Sequence, residues 1–242
     1  MSVNNIALSL SGISKRYVLR HDKPTISDYF SYSKRTPSSF MALDLVSLEI
    51  KKGERLALIG VNGSGKTTLL KIMAGISLPS SGCYSVKGRV VSLIDLSAGF
   101  HPDLNGIDNI FLNALLLGMR NSEIKNKLAQ IVEFADIGSF IHQPFYTYSD
   151  GMKLRLGFSV GIHSDPDIFI IDEHIAAGDE SFKRKTGEKI RELFNTDKTV
   201  IVATHMFDFI RENCDKVVWL EKGRVKEYGG IKVLNNFINS FS

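Results

Sequence analysis

The residues of this chain best suited to carry chemistry form the run Gly-Val-Asn-Gly-Ser-Gly-Lys-Thr, from Gly60 to Thr67. The run fits the pattern Gly-x-x-x-x-Gly-Lys-Ser/Thr, in which glycines allow backbone N–H groups to approach phosphate oxygens. Lys66 would reach the β- and γ-phosphates of a nucleotide, and the Thr67 hydroxyl would bind Mg²⁺. The alternative is an ordinary glycine turn. The predicted phosphate-binding set is Gly60, Asn62, Gly63, Ser64, Gly65, Lys66, Thr67 and Thr68.

The flanks of this run favour the phosphate site. The apolar segment Leu56–Ile59 predicts a buried strand before it, and the leucine-rich segment Thr68–Ala74 predicts a helix after it. A strand, a glycine loop and a helix in this order place the positive end of the helix dipole at the phosphates.

Two carboxylates and a histidine follow other apolar segments. Asp172 and Glu173 come after Ile168–Ile171, and α/β sheets place ligand chemistry at the carboxyl ends of their strands. Asp172 would hold the Mg²⁺ water shell, and Glu173 would act as general base on the attacking water. Alone, such a pair more often begins a solvated loop, and only its combination with the glycine loop favours the metal and base roles. His205 follows another apolar segment and could donate to a γ-phosphate, although a lone histidine is more often structural.

The elements that must position these residues alternate between strands and helices. This alternation predicts an α/β fold with a mostly parallel sheet covered on both faces. The segments with strand patterns are Ile6–Leu10, Leu45–Ile50, Leu56–Ile59, Val90–Ile94, Ile168–Ile171, Thr199–Ala203 and Lys216–Leu220, and residues 107–135 have helical spacing.

Length, charge and cysteine content limit the kinds of protein that this chain could be. The 242 residues, 43% of them hydrophobic, suffice for one large α/β domain or a core with a subdomain. The net charge of +4 does not indicate a nucleic-acid partner. No apolar run approaches the roughly 20 residues that span a bilayer, and the N-terminus shows no secretory signal. Cys83 and Cys214 have no metal-ligand or disulfide pattern, which fits a reducing cytoplasm. A membrane role would therefore need a separate partner.

One further segment, Tyr148-Ser-Asp-Gly-Met152, gives a conflicting signal. Ser149 is a suitable helix N-cap. However, the apolar residues from Met152 to Ile162 alternate with period two, which favours a strand.

With these motifs in this order, the chain from about Leu8 to Gly229 resembles the ATP-binding cassette (ABC) ATPases. The similar motifs are Walker A at Gly60–Thr67, Walker B with the catalytic glutamate at Ile168–Glu173, the signature at Tyr148–Met152, the D-loop at Ala176–Asp179 and the switch histidine at His205. The resemblance implies a P-loop NTPase core, an antiparallel β subdomain and a helical subdomain at about 99–162. It also implies a helix after the signature, against the period-two pattern.

The resemblance also implies roles for particular residues. ATP and Mg²⁺ would be the cofactors, with Lys66, Glu173 and His205 as catalytic residues. Ser149 and Gly151 would contact the γ-phosphate, and Tyr17 would stack on adenine. In the family the nucleotide lies between two subunits, so one copy of each motif implies a homodimer.

Two departures from the family pattern concern the site. The segment Asp95–Gly99 contains no glutamine where most ABC ATPases have one, and Asp95 is the candidate to take over its contact with metal or water. The predicted metal ligands are therefore Thr67, Asp172 and Asp95. In the signature, Asp150 replaces a glycine and Met152 replaces the final glutamine.

Other segments are similar to the polysaccharide-export branch, which serves O-antigen, capsular polysaccharide or teichoic acid. They are Gly99–Ile110, the variant signature and Ala177–Phe182. This branch implies a multispanning permease partner, a lipid-linked polysaccharide as cargo and a position at the cytoplasmic face of the inner membrane. Residues 18–40 would then form a membrane-proximal insertion, the alternative being a solvated loop. The chain, expected to be a single domain over 1–242, resembles the short form without a C-terminal glycan-binding domain.

Three other functions remain open at this point. One is the ATPase subunit of an importer or a drug exporter, and another is a soluble ABC ATPase of translation or DNA repair. The last is a P-loop kinase or GTPase, which would leave the signature and His205 without a role.

Overall fold

The computed structural model describes residues 5–19, 38–96, 98–172 and 179–241. Glu173 and most of the 18–40 insertion lie outside the described residues. The strands are β1 (Ile6–Leu19), β2 (Ser38–Lys51), β3 (Arg55–Ile59), β4 (Ser81–Val86), β5 (Val90–Ser92), β6 (Ile168–Asp172), β7 (Thr199–Ala203), β8 (Lys216–Glu221) and β9 (Arg224–Gly229). The helices are α1 (Lys66–Met73), α2 (Gly106–Leu116), α3 (Asn121–Ala135), α4 (Asp150–His163), α5 (Glu180–Phe194), α6 (Phe207–Asn213) and α7 (Lys232–Asn239), with 3₁₀ turns at Gly138–His142 and Phe145–Thr147.

The main sheet has six strands in the order β5-β6-β7-β3-β8-β9. Its strands pair in parallel apart from the edge strand β9, which is antiparallel to β8. Because β3, β7 and β6 are neighbours and run the same way, their carboxyl ends lie at one edge of the sheet. The glycine loop, His205 and Asp172 follow or end these three strands, so the topology brings the three predicted motifs to that edge.

Alternate residues of β3 face two different hydrophobic clusters. Leu56 and Leu58 pack with α1 and the smaller sheet, whereas Ala57 and Ile59 pack with α5 and α7 on the opposite face. Side chains of successive strand residues point to opposite faces, so this strand is apolar throughout because both of its faces are covered. The predicted α/β fold with a mostly parallel sheet is confirmed.

A second sheet packs beside the core in the order β2-β1-β4. It is antiparallel, and β1 extends to Leu19, well beyond the predicted end at Leu10. Register shifts between Leu10 and Arg16 interrupt the regular alternation of faces, so the sequence pattern ends before the pairing does. Cys83 is exposed on the edge strand β4, whereas burial raises the pKa of the Cys214 thiol to about 12.

The predicted helical region over 107–135 consists of two helices, α2 and α3. Asn105 begins α2, where its side chain accepts a hydrogen bond from the Asp108 N–H at 2.9 Å. Gly118 separates the two helices with a φ of +85°, a conformation that favours glycine. Both helices pack on α4 through a third hydrophobic cluster.

The helix α4 resolves the conflict over residues 150–162 in favour of the helix that the family resemblance implied. It lies between two clusters, with Phe158 in one and Leu156 and Val160 in the other, so it is apolar on nearly all sides. A Cβ at Gly157 would lie 1.9 Å from the Leu96 carbonyl oxygen, so this glycine allows the turn after β5 to approach α4. Within the described ranges, no helix is both long and apolar enough to cross a membrane.

Candidate functional site

The glycine loop between β3 and α1 is a backbone conformation that requires glycine. Gly60 has a φ of +152°, and a Cβ there would lie 2.2 Å from the Leu220 carbonyl oxygen. Gly65 has a φ of +106°, and its Cβ would lie 2.7 Å from the Ala42 carbonyl oxygen. The loop is therefore pressed against β8 and β2, which fixes the direction of its N–H groups.

The start of α1 leaves donors for an anion. Gly65 is its N-cap and has no side chain to accept from the first-turn N–H groups. The nearby Ser64 hydroxyl is buried and has no hydrogen-bond partner within the described part of the chain. Such a group is costly in an apolar interior, so this position suits a polar ligand such as a phosphate.

Lys66 and Thr67 connect the loop to the Walker B strand. The Lys66 ammonium donates to the Gly60 carbonyl at 2.7 Å and to the Val61 carbonyl at 3.2 Å, which holds it across the loop. The Thr67 hydroxyl donates to Asp172 Oδ2 at 3.3 Å. These residues line a cavity of about 200 Å³, which we call the P-loop cavity, with Phe40, Ala42, Asn62, Gly63, Gly65, Thr68 and Asp172.

The candidates His205 and Asp95 follow the two strands that flank β6, which are β7 and β5. His205 is exposed just beyond β7, and it lines an apolar cavity of about 550 Å³ together with Asp172. Asp95 is exposed in the turn that follows β5, the strand that pairs with β6. Both residues stay predictions as phosphate or metal contacts.

The signature residues open into a different cavity. Ser149 is the N-cap of α4, and its hydroxyl accepts from the Met152 N–H at 3.2 Å. Ser149 and Gly151 are exposed and line a cavity of about 490 Å³, which we call the signature cavity, with Phe140, Arg155 and Asp179 among its other walls. Among the described residues, the P-loop and signature cavities share no lining residue.

The signature is also held by a stack of aromatic rings. Phe100 stacks on Phe145 with ring centroids 4.8 Å apart, and Phe145 contacts Tyr148 at 5.2 Å. The Tyr148 hydroxyl donates to the Phe140 carbonyl at 2.7 Å, and burial raises its pKa above the ordinary value. The residue that precedes Ser149 is thereby fixed to the turn before α2.

One site residue, Phe40, was missed by the sequence prediction. It lines the P-loop cavity, whereas the predicted Tyr17 lies opposite it in the pairing of β1 with β2. The Lys15 ammonium lies 5.2 Å from the centroid of the Tyr17 ring. The sequence prediction placed Phe40 only at the end of the 18–40 insertion, because the register that brings it to the loop is not visible in the sequence.

Comparison with known proteins agrees with these motifs. Residues 43–176 match the ABC transporter family. The O-antigen export system ATP-binding protein RfbB of Klebsiella pneumoniae is 40% identical over 228 residues, which are 92% of this chain and 93% of that protein. The teichoic acids export ATP-binding protein TagH of Bacillus anthracis is 38% identical over 239 residues. That protein is longer, and the chain spans 43% of its length.

Solved structures share the fold. An ATP-binding subunit of an ABC transporter superposes with a TM-score of 0.73 at 21% identity, over 96% of this chain and 93% of the other. The ATP-binding cassette MJ0796, in a dimeric post-hydrolysis state with ADP and Pi, superposes with a TM-score of 0.69 at 20% identity, over 93% and 98%. With the P-loop, the Walker B strand and the signature helix in place, the chain belongs to the ABC transporter family of ATP-binding proteins.

Proposed function

We propose that this chain is the ATP-hydrolysing subunit of an ABC transporter that exports a lipid-linked polysaccharide, of the O-antigen or capsular type, across the inner membrane. Relatives named for O-antigen and teichoic acid export support this class of cargo. One observation carries the ATPase mechanism: Lys66, Thr67 and Asp172 share one cavity, while Ser149 and Gly151 open into another.

The P-loop cavity suits the phosphates of MgATP. Lys66 would exchange its loop carbonyls for β- and γ-phosphate oxygens. The Thr67 hydroxyl and the Asp172 carboxylate offer the hard oxygen ligands that Mg²⁺ prefers, and they already lie within 3.3 Å of each other. When bound, the ion neutralises charge on the phosphates. Glu173 would then take a proton from the attacking water, with His205 at the γ-phosphate.

The separate signature cavity requires a second copy of the chain. A head-to-tail pair of subunits would bring Ser149 and Gly151 of one copy to the nucleotide in the P-loop cavity of the other. Contacts with the γ-phosphate would stabilise this closed dimer, and hydrolysis would release it. The exposed positions of Ser149 and Gly151 are compatible with such an approach.

The permease would dock on the helical region and hold the subunit at the cytoplasmic face of the membrane. The surface about residues 99–120 is the proposed receiver of a permease helix. It carries the exposed side chains Leu115 and Leu116, and clustered apolar residues of this kind mark interaction sites. Residues 18–40 would contact lipid head groups or the permease.

The substitution Glu173→Gln tests the mechanism. We expect ATP hydrolysis by the purified protein to fall by about 100-fold or more, because the general base is lost. Size-exclusion chromatography with ATP should then show an accumulated dimer. The control is Glu188→Gln, which removes the same charge from an exposed position on α5. Near-normal turnover of Glu173→Gln would contradict the general-base assignment.

Co-purification tests the transport role. We expect the wild-type chain to co-purify with a multispanning membrane protein, and failure to do so would contradict that role.

A further inference from the structure

Arg155 connects three elements around the signature cavity. It lies on α4, four residues after Gly151. One of its terminal nitrogens donates to the Asp136 backbone carbonyl at 3.0 Å and lies 3.3 Å from the Asp136 carboxylate. The other donates to the carboxylate of Asp179. The guanidinium carbon also lies 5.0 Å from the centre of the buried Phe182 ring, so a cation–π contact helps to hold the Arg155 side chain in place.

The two carboxylates belong to elements with different roles. Asp136 ends α3 in a left-handed conformation, with a φ of +50°. Asp179 is the N-cap of α5, and its Oδ1 accepts from the Phe182 N–H at 2.9 Å. That backbone hydrogen bond and, after it, the bond from Arg155 lower the pKa of the Asp179 carboxyl below its ordinary value. The carboxylate is therefore ionised at neutral pH and available to the guanidinium.

Arg155 and its two carboxylates all line the signature cavity, and α5 links them to the Walker B strand, because Phe182 belongs to the same hydrophobic cluster as Ile171. Asp179 lies seven residues after Asp172, which lines the chain's own P-loop cavity. Arg155 itself lies on the helix that begins at Ser149, the residue proposed to reach the nucleotide of a second copy. Because the guanidinium is planar and its donors are fixed in direction, a shift of one carboxylate changes the contact with the other.

We propose that Arg155 is a positioning residue that couples the two ATP sites of the dimer, by holding the start of α5 against the signature helix. The inference rests on the proposed function, since it assumes a shared site. ATP bound at the signature would move α4, and Arg155 would pass this movement to α5, whose Phe182 packs in one cluster with Ile171, the residue before Asp172. Arg155 itself touches no nucleotide in this scheme.

The first test is the ATP dependence of hydrolysis by purified Arg155→Ala. We expect its Hill coefficient to fall toward 1, from a wild-type value of up to about 2 for two coupled sites. We expect kcat to fall on the order of tenfold, within the range that small misplacements of binding groups cause. Arg155→Lys keeps the charge but lacks the planar guanidinium, so its Hill coefficient and kcat should lie between those of the wild type and of Arg155→Ala. The matched control is Arg184→Ala, an exposed arginine of α5.

Asp179→Asn separates coupling from folding. Asparagine is a good N-cap, so α5 should remain intact while the ionic contact with Arg155 is lost. We expect the same fall in the Hill coefficient with a melting temperature close to that of the wild type. A wild-type Hill coefficient of 1, or variants that match Arg184→Ala in both kcat and Hill coefficient, would overturn the proposal.

Hydrogen exchange gives a readout that does not depend on ATPase activity. In Arg155→Ala, amides 150–155 of α4 and 180–183 of α5 should exchange faster together, because the contact that joins the two helix starts is gone. Exchange unchanged from the wild type would overturn the positioning role. A wild-type protein that hydrolyses no ATP would instead contradict the proposed function, and the exchange result would still decide the role of Arg155.

Discussion

At the scale of single residues, base stacking at the P-loop cavity stays a prediction, and the structure adds Phe40 to the predicted Tyr17 as a candidate. Phe40 lines the cavity, and Tyr17 is its neighbour across β1 and β2. The ammonium of Lys15 lies near the ring of Tyr17, whereas Phe40 is half exposed toward the cavity. Phe40 is therefore better placed to offer a ring face to adenine, and Tyr17 remains a second candidate.

Removing the Phe40 ring should weaken nucleotide binding more than removing the Tyr17 ring. Stacking on a base is worth about 1–3 kcal/mol, so Phe40→Ala should raise the Kd for a fluorescent ATP analogue by at least about fivefold. Tyr17→Ala should have a smaller effect, and Val18→Ala, an exposed change on the same strand, should have none. A larger loss in Tyr17→Ala than in Phe40→Ala would reverse this order.

At the scale of elements, the stack of Phe100, Phe145 and Tyr148 fixes how the signature helix begins. Tyr148 contributes both a ring and a hydroxyl to this contact. Its ring belongs to the cluster shared by α2, α3 and α4, while its hydroxyl reaches the Phe140 carbonyl. A Cβ at Gly106 would lie 2.4 Å from this hydroxyl, so the start of α2 can approach Tyr148 closely only because residue 106 is glycine.

Tyr148→Phe should destabilise the protein while leaving the ring stack in place. The Phe140 carbonyl would keep the Gln143 N–H as a donor but lose the Tyr148 hydroxyl, which should lower the free energy of unfolding by about 1 kcal/mol. Urea denaturation followed by circular dichroism measures this change. Tyr146→Phe is the matched control, because its side chain is exposed and the same atom is removed. Equal stability of the two variants would mean that the hydroxyl contact adds nothing.

The elements also show what a sequence alone can predict. The parallel strands of the main sheet and the glycine loop were predictable, since each has a strong local pattern, whereas the edge strand β9 was not predicted. The helix α4 was not predictable from periodicity, because it packs between two clusters and its apolar residues are not confined to one face. Phe40 and Arg155 act through contacts with residues distant in the chain, which local patterns do not specify. Glu173 stays a prediction from the sequence.

At the scale of the whole molecule, β1 and β2 form a long antiparallel pair whose ends lead into the predicted 18–40 insertion. The backbone pairing of the two strands reaches Leu19 and Ser38. A two-residue Asn-Gly turn can close an antiparallel pair at such a point, because it matches the twist of the strands. Residues 20–37 can therefore be replaced without interrupting β1 or β2.

This replacement separates hydrolysis from export. We expect the shortened protein to keep its melting temperature and its ATPase activity, since the P-loop and signature cavities lie in the retained elements. We expect cells that carry it to lose surface polysaccharide, because the insertion is proposed to contact the permease or lipid. A variant with a Gly/Ser linker of the original length controls for chain length. Normal export by both variants would favour a solvated loop.

The two cysteines make the chain easy to observe. A buried thiol with a pKa near 12 carries almost no thiolate at neutral pH, so Cys214 reacts slowly with maleimides, whereas Cys83 is open to solvent. A single dye therefore attaches to the natural sequence at one edge strand of the smaller sheet. In an assembly of two copies, the distance between the two dyes then reports closure around ATP, and no engineered residue is needed.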